Sequence, residues 1–197
     1  MDFSRRQLLG SALATAGATV FARPALAAGG SSMLFKKARA ELERLGDTVV
    51  HRDIVGIADF SNPSRLRRFY LLDMVSGRAS SLLVAHGRGS DPSHLGWVQR
   101  FSNEPDSNAT SAGAYLTGNY YTGKHGRSMR LRGLDEGNSN AQVRAIVVHG
   151  AWYVSPDIIR QHGKLGRSEG CFAFAEADLD QVLARLGPGK LLLAGKL

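Results

Sequence analysis

The stretch Arg144-Ala145-Ile146-Val147-Val148-His149-Gly150-Ala151-Trp152-Tyr153 decides how the chain is read. Its β-branched, apolar centre predicts a buried strand over 143–149. His149 falls at the strand's end, where a side chain can face a cleft instead of the core. Gly150 lets another backbone or a ligand approach closely. Trp152 and Tyr153 either wall that cleft or join the core. Standing alone, His149 reads as a satisfied histidine at a strand end.

Twenty-two residues after His149 lies Cys171, closing the run Gly166-Arg167-Ser168-Glu169-Gly170-Cys171. A Gly directly before a Cys favours a tight turn that exposes the thiol. Such a turn also aims successive N–H groups into one concavity able to hold an oxyanion. A free thiol is only slightly ionised at neutral pH, and a nearby imidazole that takes its proton makes it a nucleophile. His149 and Cys171 are therefore the candidate couple. Ser168 is read as positioning the loop or the imidazole, not as attacking a substrate.

Working outward, Leu34, Phe35, Ala38, Leu42 and Leu45 recur at helical spacing and predict an amphipathic helix ending at Gly46. The period then shortens. Strands are predicted over 53–60, 68–75, 81–85, 114–121, 128–134 and 190–194, and helices over 156–162 and 175–186. This is a mainly β fold with peripheral helices (α+β) in one domain, residues 33–197. Ahead of it, residues 28–32 read as a Gly/Ser linker. Residues 1–27 read as a signal peptide: Ser4-Arg5-Arg6-Gln7-Leu8-Leu9, a weakly apolar run, and the cleavage pattern Ala25-Leu26-Ala27. The run is too short and too rich in Ala and Gly for a stable span of about 20 residues. The expectation is a periplasmic protein exported by the twin-arginine route, with no stable membrane anchor after cleavage.

The net charge of the full chain is +8; removal of residues 1–27 takes away Arg5, Arg6, Arg23 and Asp2 and leaves +6. A basic surface suits an anionic partner but equally serves solubility. No basic stripe interleaved with aromatics and no zinc-finger spacing appears, so nucleic acid is not expected as a partner. A single Cys excludes an intramolecular disulfide. Gly118-Asn119-Tyr120-Tyr121-Thr122-Gly123-Lys124 has the spacing of a phosphate-binding loop, but His125 stands where Ser or Thr is required. The six histidines show no His-x-x-x-His or His-x-His ligand pattern, so neither metal nor cofactor is expected.

Taken together, His149-Gly150 and Ser168-Glu169-Gly170-Cys171 resemble the L,D-transpeptidase (YkuD-type) catalytic domain, in its second, proteobacterial branch. The likeness extends through Val84-Ala85-His86-Gly87, Phe101-Ser102-Asn103, Tyr121-Thr122-Gly123-Lys124-His125-Gly126 and Leu131-Arg132-Gly133-Leu134. It implies a β-sandwich or open barrel and a peptidoglycan L,D-transpeptidase that cross-links donor and acceptor stem peptides through a cysteine thioester. It further implies an oxyanion hole of backbone N–H groups at Gly170 and Cys171, with Glu169 as a third contributor and Tyr121 assisting. His86 and His125 lie in family-like blocks and either border the cleft or sit in solvated loops. Two residues depart from the pattern: Phe172 stands where this branch has Pro, and Ala173 where the better-known branch has an Arg for a substrate carboxylate. Arg167 or Lys124 would then have to hold that group. Hydrolysis of the same thioester, as in a carboxypeptidase or cross-link hydrolase, and a non-catalytic wall-binding module remain open, as does the oligomeric state.

Overall fold

A computed structural model describes residues 28–197 of the chain. The signal-peptide reading of 1–27 lies outside the described residues. The first helix, α1 (Ala28–Leu45), takes in the segment read as a linker. It buries Phe35, Ala38 and Leu42, the residues its spacing singles out, against Val55, Ile57, Leu72, Leu191 and Leu193. Those five partners alternate along their strands, which puts them on one face of the sheet.

The strands are β1 (Ile54–Asp59), β2 (Phe69–Asp73), β3 (Ala79–Leu82), β4 (Gly113–Gly123), β5 (Gly126–Gly133), β6 (Val147–Gly150), β7 (Phe172–Phe174) and β8 (Leu191–Gly195). They form one eight-stranded sheet in the order β3-β2-β1-β8-β4-β5-β6-β7. The pairs β1–β8 and β6–β7 are parallel and the rest antiparallel. Past Leu82 the chain does not continue β3. It crosses to the far end of the order, where Ala85 N donates to Ala173 O at 2.9 Å and Ser168 N to His86 O at 2.9 Å. The sheet thus curls until its two ends are nearly joined, an open barrel. This accounts for the shortened third strand, since Leu83–Ala85 serve the other edge.

Inside the curl lies the main core, with Phe60, Phe69, Tyr115, Met129, Val148, Phe172 and Phe174. Helix α3 (Glu176–Leu186) adds Val182, Leu183 and Leu186 to it. Phe172 is fully buried, stacked on Phe60 and edge-on to Tyr115 at 5.3 Å, so the departure at this position is a core substitution. Ala173 points the other way, into a smaller cluster with Leu83, Ala85, Val154 and Leu165. A cation at 173 would be sealed among aliphatic groups. Helix α2 (Pro156–His162) starts as its sequence requires, with Ser155 Oγ accepting from Ile158 N at 3.2 Å and Pro156 in the first turn.

Candidate functional site

The predicted strand over 143–149 begins late. Residues 140–145 form turns, with Arg144 N donating to Asn140 O and Ala145 N to Gln142 O. Ala145 has φ of 51°, a left-handed conformation that a Cβ makes unfavourable. The turn directs the Ala145 carbonyl at the Cys171 thiol, whose Sγ lies 3.6 Å from that oxygen.

Strand β7, three residues long, brings Cys171 to His149. Val148 pairs with Phe172 and His149 with Ala173 in parallel register. Extended by one residue, that register sets Cys171 beside Val147. Side chains alternate along a strand, so 147, 149, 171 and 173 share one face. His149 and Cys171 therefore sit diagonally across neighbouring strands and line one cavity of about 520 Å³. Tyr121, Lys124, His125, Arg167, Ser168 and Glu169 line it too.

His149 is almost fully buried, and its Nδ1–H donates to Gly150 O at 2.8 Å. That bond fixes the tautomer and leaves Nε2 as an acceptor. His125, from the β4–β5 turn, stacks on it with ring centroids 4.1 Å apart. Burial pushes the His149 imidazole down to about 4; His125 and Lys124 act in the same direction, against the Gly150 carbonyl. Burial also raises the Cys171 thiol, opposed by the Val147 backbone amide and Lys124. Each effect favours the uncharged form of its own group, a neutral imidazole and a neutral thiol.

Ser168 Oγ donates to Cys171 O at 2.7 Å and accepts from Gly170 N at 3.2 Å, locking the turn that carries the cysteine. Gly170 has φ of 117°, and a Cβ there would stand 2.8 Å from both Ala109 O and Ile146 Cδ1. Because its N–H is engaged by Ser168, Gly170 is not a free oxyanion donor.

The other expected residues divide. Glu169 pairs with Arg88 at 3.1 Å and reaches Lys124 at 4.0 Å, tying the β4–β5 turn to the cysteine loop. Tyr121 lies under the Arg130 guanidinium, 4.4 Å from its ring centre. Arg167 lines the cavity but spends one Nη on the Asp91 and Pro92 carbonyls.

Two placements are corrected. His86 does not border the cleft: it is buried, with Nδ1 2.6 Å from Arg68 Nη2 and Nε2 3.4 Å from Asp91 Oδ2. Gly150 does not line the cavity either; a Cβ there would meet Leu179 Cδ2 at 3.1 Å, so what approaches it is α3 and not a ligand.

Arg144, Ala145, Val147 and Tyr153 complete the lining. Of these, sequence reasoning proposed only Tyr153, as one of two options. Trp152, its neighbour, is 72% exposed and outside the cavity. Burial, then the negative charge available to Cys171 and Glu169, pushes the Tyr153 phenol up to about 12, so it stays a hydrogen-bond donor. Among the described residues no group of three or more His, Cys, Asp or Glu could hold a metal ion.

The curled mixed sheet and the cavity on the β6–β7 pair define one domain of the YkuD type. The chain belongs to the L,D-transpeptidase catalytic domain family, whose model matches residues 27–194. Solved structures to which it is similar include an L,D-transpeptidase from Mycobacterium tuberculosis H37Rv, 15% identical with a TM-score of 0.46, where the alignment covers 73% of this chain and 57% of that one. L,D-transpeptidase 3 from the same species, solved with a faropenem-derived adduct, is 14% identical with a TM-score of 0.46, covering 72% and 60%. An L,D-transpeptidase from Mycobacterium smegmatis is 13% identical with a TM-score of 0.43, covering 73% and 58%. The chain thus spans less than two thirds of the length of these structures. No curated protein matches it in sequence.

Proposed function

We propose that the chain is a peptidoglycan L,D-transpeptidase in which Cys171 is the nucleophile and His149 its base. One observation carries this: the two side chains share a sheet face at the wall of one cavity, with the imidazole tautomer fixed so that Nε2 can accept. His149 takes the thiol proton as Cys171 Sγ attacks the carbonyl of an L-configured or meso-diaminopimelate residue in the donor stem. The tetrahedral oxyanion is held by the N–H groups of Cys171 and Glu169, since that of Gly170 is occupied. His149 then protonates the leaving amine, giving a thioester. An amine from the acceptor stem attacks it, His149 takes the amine proton, and the thiol is released. No ion pair is needed at rest, because the proton moves during attack.

The test is incubation of the purified mature protein with tetrapeptide-stem muropeptides, followed by mass analysis. Cross-linked dimers from the wild type and none from Cys171→Ala are expected. Shortened stems without dimers would make it a carboxypeptidase, and no change in either would refute acyl transfer. We place this reaction in the periplasm, on the twin-arginine pattern of residues 4–9. Retention of an Arg5→Lys, Arg6→Lys variant in the cytoplasmic fraction is expected, and unimpaired export would refute that route.

A further inference from the structure

Arg144 lines the cavity beside the cysteine loop and makes no ion pair among the described residues. Its half-buried guanidinium donates from Nη1 to Ser102 O at 2.7 Å and Ser111 Oγ at 3.3 Å, and from Nη2 to Ala109 O. All three acceptors are uncharged, and among the described residues no carboxylate lies within ion-pair distance of it. The same Nη2 stands 3.2 Å from where a Gly170 Cβ would be, beside the residue that precedes the nucleophile. Arg144 also lines the cavity with Cys171. Of the other charged groups on that lining, Glu169 is held by Arg88 and Lys124, and Arg167, also without an ion pair among the described residues, donates to the Asp91 and Pro92 carbonyls. A guanidinium has five N–H donors and three bonds are made, so the head is fixed while donors remain. Holding a charge partly out of water is costly, and burial lowers the Arg144 pKa, with Tyr115, Cys171 and Glu104 acting the other way. Such a group is well placed to take its counter-ion from the ligand.

We propose that Arg144 seats a carboxylate of the donor peptide next to the Cys171 sulfur. This rests on the reading of Cys171 as nucleophile and narrows its substrate class. The donor carries a free carboxylate close to the scissile carbonyl, and a carboxamide there is a poor substitute. A planar guanidinium suits a carboxylate because both are flat and can share two hydrogen bonds.

The first test needs no peptide. Cys171 is alkylated with iodoacetate and with iodoacetamide, which share a reaction and differ in charge, and the rate ratio is compared with that of N-acetylcysteine at equal ionic strength. The wild type is expected to favour iodoacetate by about fivefold or more over the reference, as local positive potential does for an anion. Arg144→Gln is expected to bring the ratio back toward the reference. Arg160→Gln, on α2, removes the same net charge elsewhere and leaves the ratio unchanged. A wild-type ratio at or below the reference overturns the proposal, and this arm does not depend on how well the Arg144 variant folds. A ratio lowered by Lys124→Gln or Arg167→Gln but not by Arg144→Gln overturns it as well. The second test compares donor stems with that carboxylate free or amidated. A rise in KM of tenfold or more for the amide in the wild type, abolished in Arg144→Gln, is expected; equal KM values refute the seat. If stems are not turned over while the alkylation ratio holds, the transpeptidase reading falls and the anion seat stands. If neither reagent alkylates Cys171, both fall.

Discussion

Replacing Ser168 with Ala tests whether one buried hydroxyl holds the cysteine turn in place. Its Oγ is the acceptor for Gly170 N and the donor to Cys171 O, so it bridges both sides of the residue whose φ is 117°. Ser168 is 5% exposed, and water cannot readily replace the lost atom. Removing it strands one donor and one acceptor, at a cost of roughly 1–2 kcal/mol each, or about 2–4 kcal/mol together. For a domain of this size that corresponds to a fall in melting temperature of about 5–15 °C. The same turn aims the thiol, so acylation should also slow, by about 10–100-fold if half or more of that energy had been orienting the loop. Ser168→Thr keeps the hydroxyl and should recover most of the stability. Thermal melts and single-turnover acylation of both variants make the measurement. A Ser168→Ala protein that melts within about 1 °C of wild type and acylates at an unchanged rate would show that this hydroxyl does not hold the turn.

Three further outcomes are expected. The folded pKa of His149, about 4, lies below the ordinary histidine value of 6.5, so the unfolded chain binds the proton first as pH falls. The stabilisation is complete above pH 6.5 and is lost as pH drops to about 4, roughly 3 kcal/mol in all; urea unfolding of His149→Gln should show a shallower decline over that window. Because burial raises the thiol, alkylation of Cys171 by iodoacetamide should still be climbing above the usual thiol range, and a plateau below pH 7 would reveal a preformed ion pair instead. His86→Ala strips the buried Arg68 of a partner and should cost about 2–4 kcal/mol in denaturant unfolding while leaving the Cys171 alkylation rate within twofold; a rate loss without a stability loss would return His86 to the site.

The elements with a strong local signature were legible in the sequence. The spacing of Phe35, Ala38 and Leu42 marked the buried face of α1, and Ser155-Pro156 marked the start of α2. Strand β7 was not legible, because Phe172-Ala173-Phe174 is too short to show alternation and is a strand only through its neighbours β6 and Ala85. The turn before β6 was hidden for a related reason. Val143 and Ala145 continue an apolar pattern, yet Val143 is 80% exposed and Ala145 takes a left-handed conformation that tertiary contacts impose. At the candidate site, His149, Ser168 and Cys171, singled out from their flanking residues, line one cavity. The burial of His86 and the cavity-facing place of Arg144 could not be read from the sequence, since each depends on segments 18 to 42 residues away meeting in space.

The proposed mechanism needs Cys171 and His149 to work as one couple in one cavity. Its most direct test is the rate of covalent adduct formation with a carbapenem, followed by intact mass on the wild type, Cys171→Ala and His149→Ala. A single adduct on Cys171 is expected, none in Cys171→Ala, and acylation slowed by about 100-fold or more in a folded His149→Ala. An adduct that survives Cys171→Ala, or a His149→Ala protein that acylates at the wild-type rate, would contradict it.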